Sequence, residues 1–170
     1  MQTLKRKGKP SLKRHTARKV KVFLDSNVIL SGLLSDKSYP RIILDLCCLR
    51  LEFIQFFTCE YNLIEIERNL KKKLPQALKV YKKYLPSLNL QSIPLPDKKL
   101  VRKLSREVAP KDAPVLASAI IAEVDFLVTG DKKDFDPLKG EKHYPFIILS
   151  PSEFINEKLP EILRSRTVKP

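Results

Sequence analysis

The chain has 170 residues, enough for one domain of ordinary size with its own core, and a hydrophobic content of 43% excludes wholesale disorder. A net charge of +14 points to polyanionic partners, nucleic acid first. No stretch reaches the roughly 18 apolar residues of a membrane span, so no membrane partner is expected.

Residues 1–21 carry nine Lys and Arg and no acid, leaving a charge of +5 for residues 22–170. Residues 1–19 are therefore expected to form a flexible basic arm that binds RNA, with a disordered solubilising tail as the alternative. No apolar core follows these charges, which argues against a secretory signal, whereas an organellar transit peptide shares their Arg/Lys-rich, acid-free character. Cys47, Cys48 and Cys59 have no metal-type spacing and are odd in number, so buried thiols in a reducing cytoplasm are expected.

From Val20 the pattern is a strand into Asp25, then a helix from Ser26-Asn27 through Val28, Ile29, Leu30, Leu33 and Leu34. Ser35–Tyr39 forms a loop, and Pro40 suits the first turn of a second, largely buried helix. Phe53-Ile54-Gln55-Phe56-Phe57 is an apolar, aromatic strand. A helix from about Cys59 to Lys72 follows, and Pro75 opens another that Pro86 ends. Ser92–Leu95 suits an edge strand because proline cannot donate to a ladder. A helix near Asp97–Val108 precedes Asp112-Ala113-Pro114, which has the form of an N-cap with proline just inside the helix. Strands at Asp125–Val128 and Phe146–Leu149 and a final helix from Pro151 complete the chain. Alternation of strands and helices without a hairpin signal implies a three-layer α/β/α fold around a mainly parallel sheet. The domain is expected to span residues 20–160, with a C-terminal tail at 161–170.

In such folds ligands bind outside the carboxyl ends of the strands. Asp25 and Asp131 follow apolar strands, Asp112 opens a helix, and Glu65 lies within a helix between them. Each alone has an ordinary explanation as a cap, a turn residue or a solvated helix position. Gathered together, carboxylates repel one another unless a cation or a retained proton intervenes. Oxygen ligands select hard cations such as Mg²⁺ or Mn²⁺, and two such ions about 4 Å apart can activate water and offset charge on the leaving oxygen of a phosphodiester. This chemistry needs no histidine, and His15 and His143 lie in the arm and a late loop. A receiver-type phosphotransfer domain is the first rival, though it is usually less basic. A haloacid-dehalogenase-like phosphatase needs a second Asp two residues after the first, where this chain has Asn27.

Phe23-Leu24-Asp25-Ser26-Asn27-Val28-Ile29-Leu30-Ser31-Gly32 resembles the opening motif of PIN-domain nucleases. The segments Asp112–Ala119, Asp125–Asp131 and Ile148–Phe154 resemble later parts of the same family, whose branch of VapC-like toxins from prokaryotic toxin–antitoxin systems has the most similar spacing. The resemblance implies a divalent-metal-dependent endoribonuclease acting on single-stranded RNA with Mg²⁺ or Mn²⁺. Asp25, Glu65, Asp112 and Asp131 would form its acidic quartet and hold the metal. Glu67 is a lesser candidate for the helical acid, and Asp134 or Asp136 for sharing the fourth position. Asn27 would orient Asp25, and Thr129 would place a hydroxyl near the fourth acid. Arg68, Lys71, Lys72 and Lys73 are candidate RNA contacts, with a solvated helix end as the alternative. The resemblance further implies an antitoxin partner and pairing into homodimers. The contrasting reading is a catalytically silent PIN-like scaffold that binds RNA or protein.

Overall fold

The computed structural model describes residues 18–139 and 144–167. Five strands form one sheet: β1 (Val20–Leu24), β2 (Ile54–Cys59), β3 (Leu90–Ile93), β4 (Phe126–Val128) and β5 (Ile147–Leu149). Their order is β3-β2-β1-β4-β5 and every pairing is parallel, with Phe23 opposite Phe57, Leu24 opposite Val128 and Leu127 opposite Ile148. The chain builds outward from β1 to β3, then returns to place β4 on the other side of β1. The order thus reverses between β1 and β4, where α/β sheets open a crevice beyond their carboxyl ends.

Both sheet faces are covered, so the central strands are apolar almost throughout rather than alternating with polar residues. Val22 and Leu24 pack on one side with residues of α1 (Ser26–Leu34), α2 (Tyr39–Cys48), α3 (Glu60–Lys73) and α4 (Pro75–Tyr84). Phe23 points the other way, into a cluster with Leu104 of α5 (Lys98–Leu104) and the buried stripe of α6 (Ala113–Ile121). The result is the three-layer α/β/α arrangement.

Local chemistry sets several boundaries. Pro40 lies in the first turn of α2, where Ser38 caps by accepting from the Arg41 N–H. The edge strand β3 is displaced toward the N-terminus from its expected 92–95 and stops at Ile93, immediately before Pro94. Asp97 caps α5 by accepting from the Lys99 N–H, but regular helix ends at Leu104 rather than near Val108.

A short helix α7 (Lys132–Phe135) follows β4, and the C-terminal helix begins with α8 (Pro151–Glu153), held by a capping box in which Ser150 and Glu153 each accept from the other's N–H. Residues Phe154–Lys158 then form a wider π turn before α9 (Leu159–Thr167). Pro160 removes one backbone donor from this stretch, and the Leu159 N–H bonds back to Phe154. Helix therefore continues through residue 161, where the sequence suggests a tail, and Ile162 is buried in the core. Most of the expected arm, residues 1–17, lies outside the described residues, as do His15, His143 and residues 168–170. Among the described residues, no helix is long and apolar enough to cross a membrane.

Candidate active site

Asp25 stands at the end of β1 and serves as the N-cap of α1. It is buried, and three donors hold its carboxylate. The Ser26 N–H donates to Oδ1 at 2.6 Å, while the Asn27 amide and the Thr129 hydroxyl each donate to Oδ2 at 2.8 Å. Thr129 also accepts from the Asp131 N–H at 3.1 Å, coupling the turn after β4 to the first aspartate. Asn27 spans the same gap, since its Oδ1 accepts from the Gly130 N–H at 2.7 Å. Asn27 and Thr129 thus sit where a role in orienting Asp25 would require.

Glu65 arrives from α3. Buried Asn62 seats this helix by donating to the Leu24 carbonyl at 3.1 Å, and Thr58 donates to that same carbonyl. Three residues beyond Asn62, Glu65 accepts from the Ser26 hydroxyl at 2.6 Å. The lesser candidate Glu67 is engaged elsewhere, facing Lys82 at 3.6 Å, and Glu60 in the first turn of α3 accepts from the Leu95 N–H.

Asp112 departs from its sequence reading. It occupies the N-cap position of α6, but its backbone is helical (φ −94°, ψ −20°) and its side chain makes no capping bond. Asp112 is 7% exposed as a residue, and its Oδ2 is buried without a hydrogen-bond partner among the described residues. Such an atom carries the full cost of lost hydration unless something outside the hydrogen-bond network satisfies it.

Asp25, Glu65, Asp112 and Asp131 line one cavity of about 150 Å³, together with Ser26, Asn27, Asn69 and Lys111. The structure therefore brings together all four acids singled out in the sequence. Asp134 joins the rim: carboxylate oxygens of Asp112, Asp131 and Asp134 all lie within 4.8 Å of one another. Asp136 instead pairs with Lys139 at 3.1 Å.

Burial is the main reason that the Asp25 carboxyl is raised to about 6, against the opposing bonds from Thr129 and Ser26. Burial likewise raises Asp112 to about 7, opposed by Lys111 and reinforced by Asp134, Asp25 and Asp131. Retained protons are one answer to such crowding and a cation is the other. The donor set fits a cation: its carboxylates offer only oxygen, it is suited to a hard divalent ion, and one Asp112 oxygen is buried without a hydrogen-bond partner among the described residues.

Arg68, Lys71, Lys72 and Lys73 occupy the last part of α3, all on the surface. Lys72 lies two turns beyond Glu65 and so close to the same helical line. Arg68, Lys71 and Lys72 border a shallow groove with Ile64 and Glu67 that is separate from the acidic cavity. Two contributors went unrecognised in the sequence. Ser26 lies inside the Asp-Ser-Asn run without a spacing to mark it as a partner of Glu65. Lys111 stands beside Asp112, and that adjacency was its only signal.

The family described as PIN domain matches residues 21–133. No curated protein matches the chain. Among solved structures, VapBC2 from Rickettsia felis, bound to a DNA fragment from its promoter, aligns with a TM-score of 0.57 and 16% identity, covering 77% of this chain and 98% of the other. A toxin–antitoxin complex from Klebsiella pneumoniae gives 0.56 and 19%, over 76% and 97% of the two chains. FitAcB from Neisseria gonorrhoeae gives 0.53 and 17% over the same shares. At these identities the likeness speaks for the fold.

Proposed function

This chain belongs to the PIN-domain family, and on that premise we propose that it is a divalent-metal-dependent endoribonuclease of single-stranded RNA, acting as the toxin of a toxin–antitoxin pair. The observation that carries the reading is the convergence of Asp25, Glu65, Asp112 and Asp131 on one cavity, with Asp112 held at 7% exposure in its wall. Asp25 and Asp112 are the principal ligands for Mg²⁺ or Mn²⁺, with Glu65 and Asp131 completing the set. The chemistry supplied by such an ion is Lewis acidity toward phosphate oxygens and activation of water.

The protein's own part is positioning. Ser26, Asn27 and Thr129 fix both oxygens of Asp25, so little reorganisation is needed when charge develops beside it. The Ser26 hydroxyl holds one oxygen of Glu65 and leaves the carboxylate at the cavity wall. Arg68, Lys71, Lys72 and Lys73 attract the RNA backbone, and the net charge of +14 favours encounter.

The Klebsiella pneumoniae structure is a toxin–antitoxin complex and the Rickettsia felis VapBC2 structure holds promoter DNA, which supports an antitoxin as the regulator of this chain. A homodimer is the assembly we expect. Free Cys47, Cys48 and Cys59 fit a reducing cytoplasm.

The test is a pool of random-sequence single-stranded RNA incubated with the full chain. Mn²⁺ or Mg²⁺ should support internal cleavage, and EDTA or Asp25→Asn should abolish it. A wild-type protein that binds the pool yet leaves it intact with either ion would instead be a silent scaffold.

A further inference from the structure

The wall of the acidic cavity carries side-chain donors as well as acids, and most of them are engaged within the protein. The Ser26 hydroxyl donates to Glu65, and the Asn27 amide donates to Asp25 and Thr129. The Lys111 ammonium bridges Asp134 at 2.6 Å and Asp131 at 3.1 Å. Asn69 is the exception. It lines the same cavity, yet its side chain forms no hydrogen bond among the described residues.

The placement of Asn69 follows from α3. Buried Asn62 fastens this helix to the Leu24 carbonyl, Glu65 comes three residues later, and Asn69 four residues after that. Residues at this spacing share one face of a helix, and neighbours four apart stand about 5–6 Å from each other at Cβ. Asn69 is half-buried, and along the helix it lies between Glu65 and the basic end at Lys71, Lys72 and Lys73. A strand held by those cations and cut at the acids passes this amide.

Three kinds of group on that strand offer it hydrogen bonds. A phosphate oxygen only accepts, and its charge calls for a cation rather than a neutral amide. A base edge projects away from the backbone, whereas Glu65, one turn from Asn69, marks where the backbone is cut. The ribose 2′-hydroxyl adjoins the phosphate, is neutral, and both donates and accepts, as a carboxamide does. We propose that Asn69 reads the 2′-hydroxyl of a nucleotide flanking the scissile phosphate and so sets the preference for RNA over DNA. This rests on the reading of the four acids as a ribonuclease site and goes beyond it by assigning the sugar contact. Asn69 is a specificity-determining residue in this scheme.

The experiment uses the full chain with Mn²⁺ and an RNA oligonucleotide containing one cleavage site. Copies of that oligonucleotide carry a single 2′-deoxy sugar at one or the other nucleotide flanking the site. On wild type, one of the two substitutions should lower kcat/KM about tenfold, the scale of one net hydrogen bond. Asn69→Ala should lower kcat/KM on the all-RNA strand by a similar factor, and the same deoxy sugar should then cost nothing further. Alanine suits a helix interior, and the variant should keep the rise in melting temperature that Mn²⁺ gives wild type, because the four acids are untouched. An Asn69→Ala enzyme that keeps the full deoxy penalty, or a wild type indifferent to both substitutions, would overturn the assignment of Asn69 while leaving the ribonuclease intact. A wild type that cuts no RNA would overturn the ribonuclease reading itself, and the inference with it.

Discussion

Asp112 concentrates the energetics of the site in one side chain. A carboxylate held in a dry wall with an unserved oxygen destabilises the metal-free protein whenever it is charged. Asp112 is raised to about 7 and Asp25 to about 6, in both cases mainly by burial. Because these groups hold a proton more tightly folded than unfolded, the stability they contribute is complete below the ordinary carboxylate range near 4. It is then lost as pH rises through 6 and 7. Glu153 works in the opposite direction. Its bonds from Lys139 and Ser150 lower it to about 2, so its contribution is present above the ordinary glutamate range and lost only toward pH 2. In EDTA, the melting temperature should therefore fall between pH 5 and pH 8. Asp112→Asn should flatten that fall and melt higher than wild type at pH 8, while losing most of the stabilisation that millimolar Mn²⁺ gives wild type. A variant that melts lower than wild type in EDTA at pH 8 would show that the Asp112 charge is satisfied within the protein.

At the level of elements, the contact between α1 and α2 depends on Gly32. A Cβ built there would stand 2.8 Å from the Pro40 carbonyl oxygen and 2.8 Å from Leu44 Cδ1. The Leu44 side chain is fully buried and the carbonyl belongs to the backbone, so neither yields cheaply. Alanine gains about 1 kcal/mol in helix propensity over glycine, against about 1–3 kcal/mol for forcing extra volume into packed structure. Gly32→Ala should accordingly be destabilising in a urea melt, and a raised midpoint would contradict this account. The helix seam illustrates what local pattern conveys and what it conceals. Strand runs such as Val22-Phe23-Leu24, prolines at helix starts and the acids Asp25 and Asp131 after strands are short-range signals that point to the parallel sheet and its crevice, whereas the full set with Glu65 and Asp112 came from the family resemblance. The conformation of Asp112 was concealed because its sequence context suits a cap, whereas the tight turn at Ala109 turns the side chain into the cavity instead. The Lys111 bridge was concealed because Asp131 and Asp134 come from a loop twenty and more residues away, joined only by the return of the chain to β4. The helix from Pro151 runs past the expected boundary at residue 160 because the π turn accommodates Pro160.

Across the whole molecule, the acidic cavity and the described start of the chain lie at opposite ends of the sheet. The acidic cavity opens beyond the carboxyl ends of β1 and β4, whereas Arg18, Lys19 and Lys21 lie at the amino end of β1. That junction is tied down: Arg18 donates to Asp125 Oδ1 at 2.9 Å, the Lys21 N–H donates to Asp125 Oδ2 at 2.8 Å, and Arg166 of α9 donates to the Arg18 carbonyl. The Arg18 side chain is 67% exposed, so its ion pair contributes little to stability; residues 1–17 precede it in the sequence. Those residues hold six Lys and Arg and no acid. Each single-strand phosphate contact they make should contribute about 0.7 to the slope of log affinity against log salt. Removing residues 1–17 should therefore weaken binding of a long single-stranded RNA and flatten its salt dependence, measured on the Asp25→Asn background to prevent cleavage. The melting temperature should stay unchanged, because the Arg18 and Asp125 junction is retained. An unaltered salt slope would mean that the domain surface alone, with Arg68, Lys71, Lys72 and Lys73, carries the RNA.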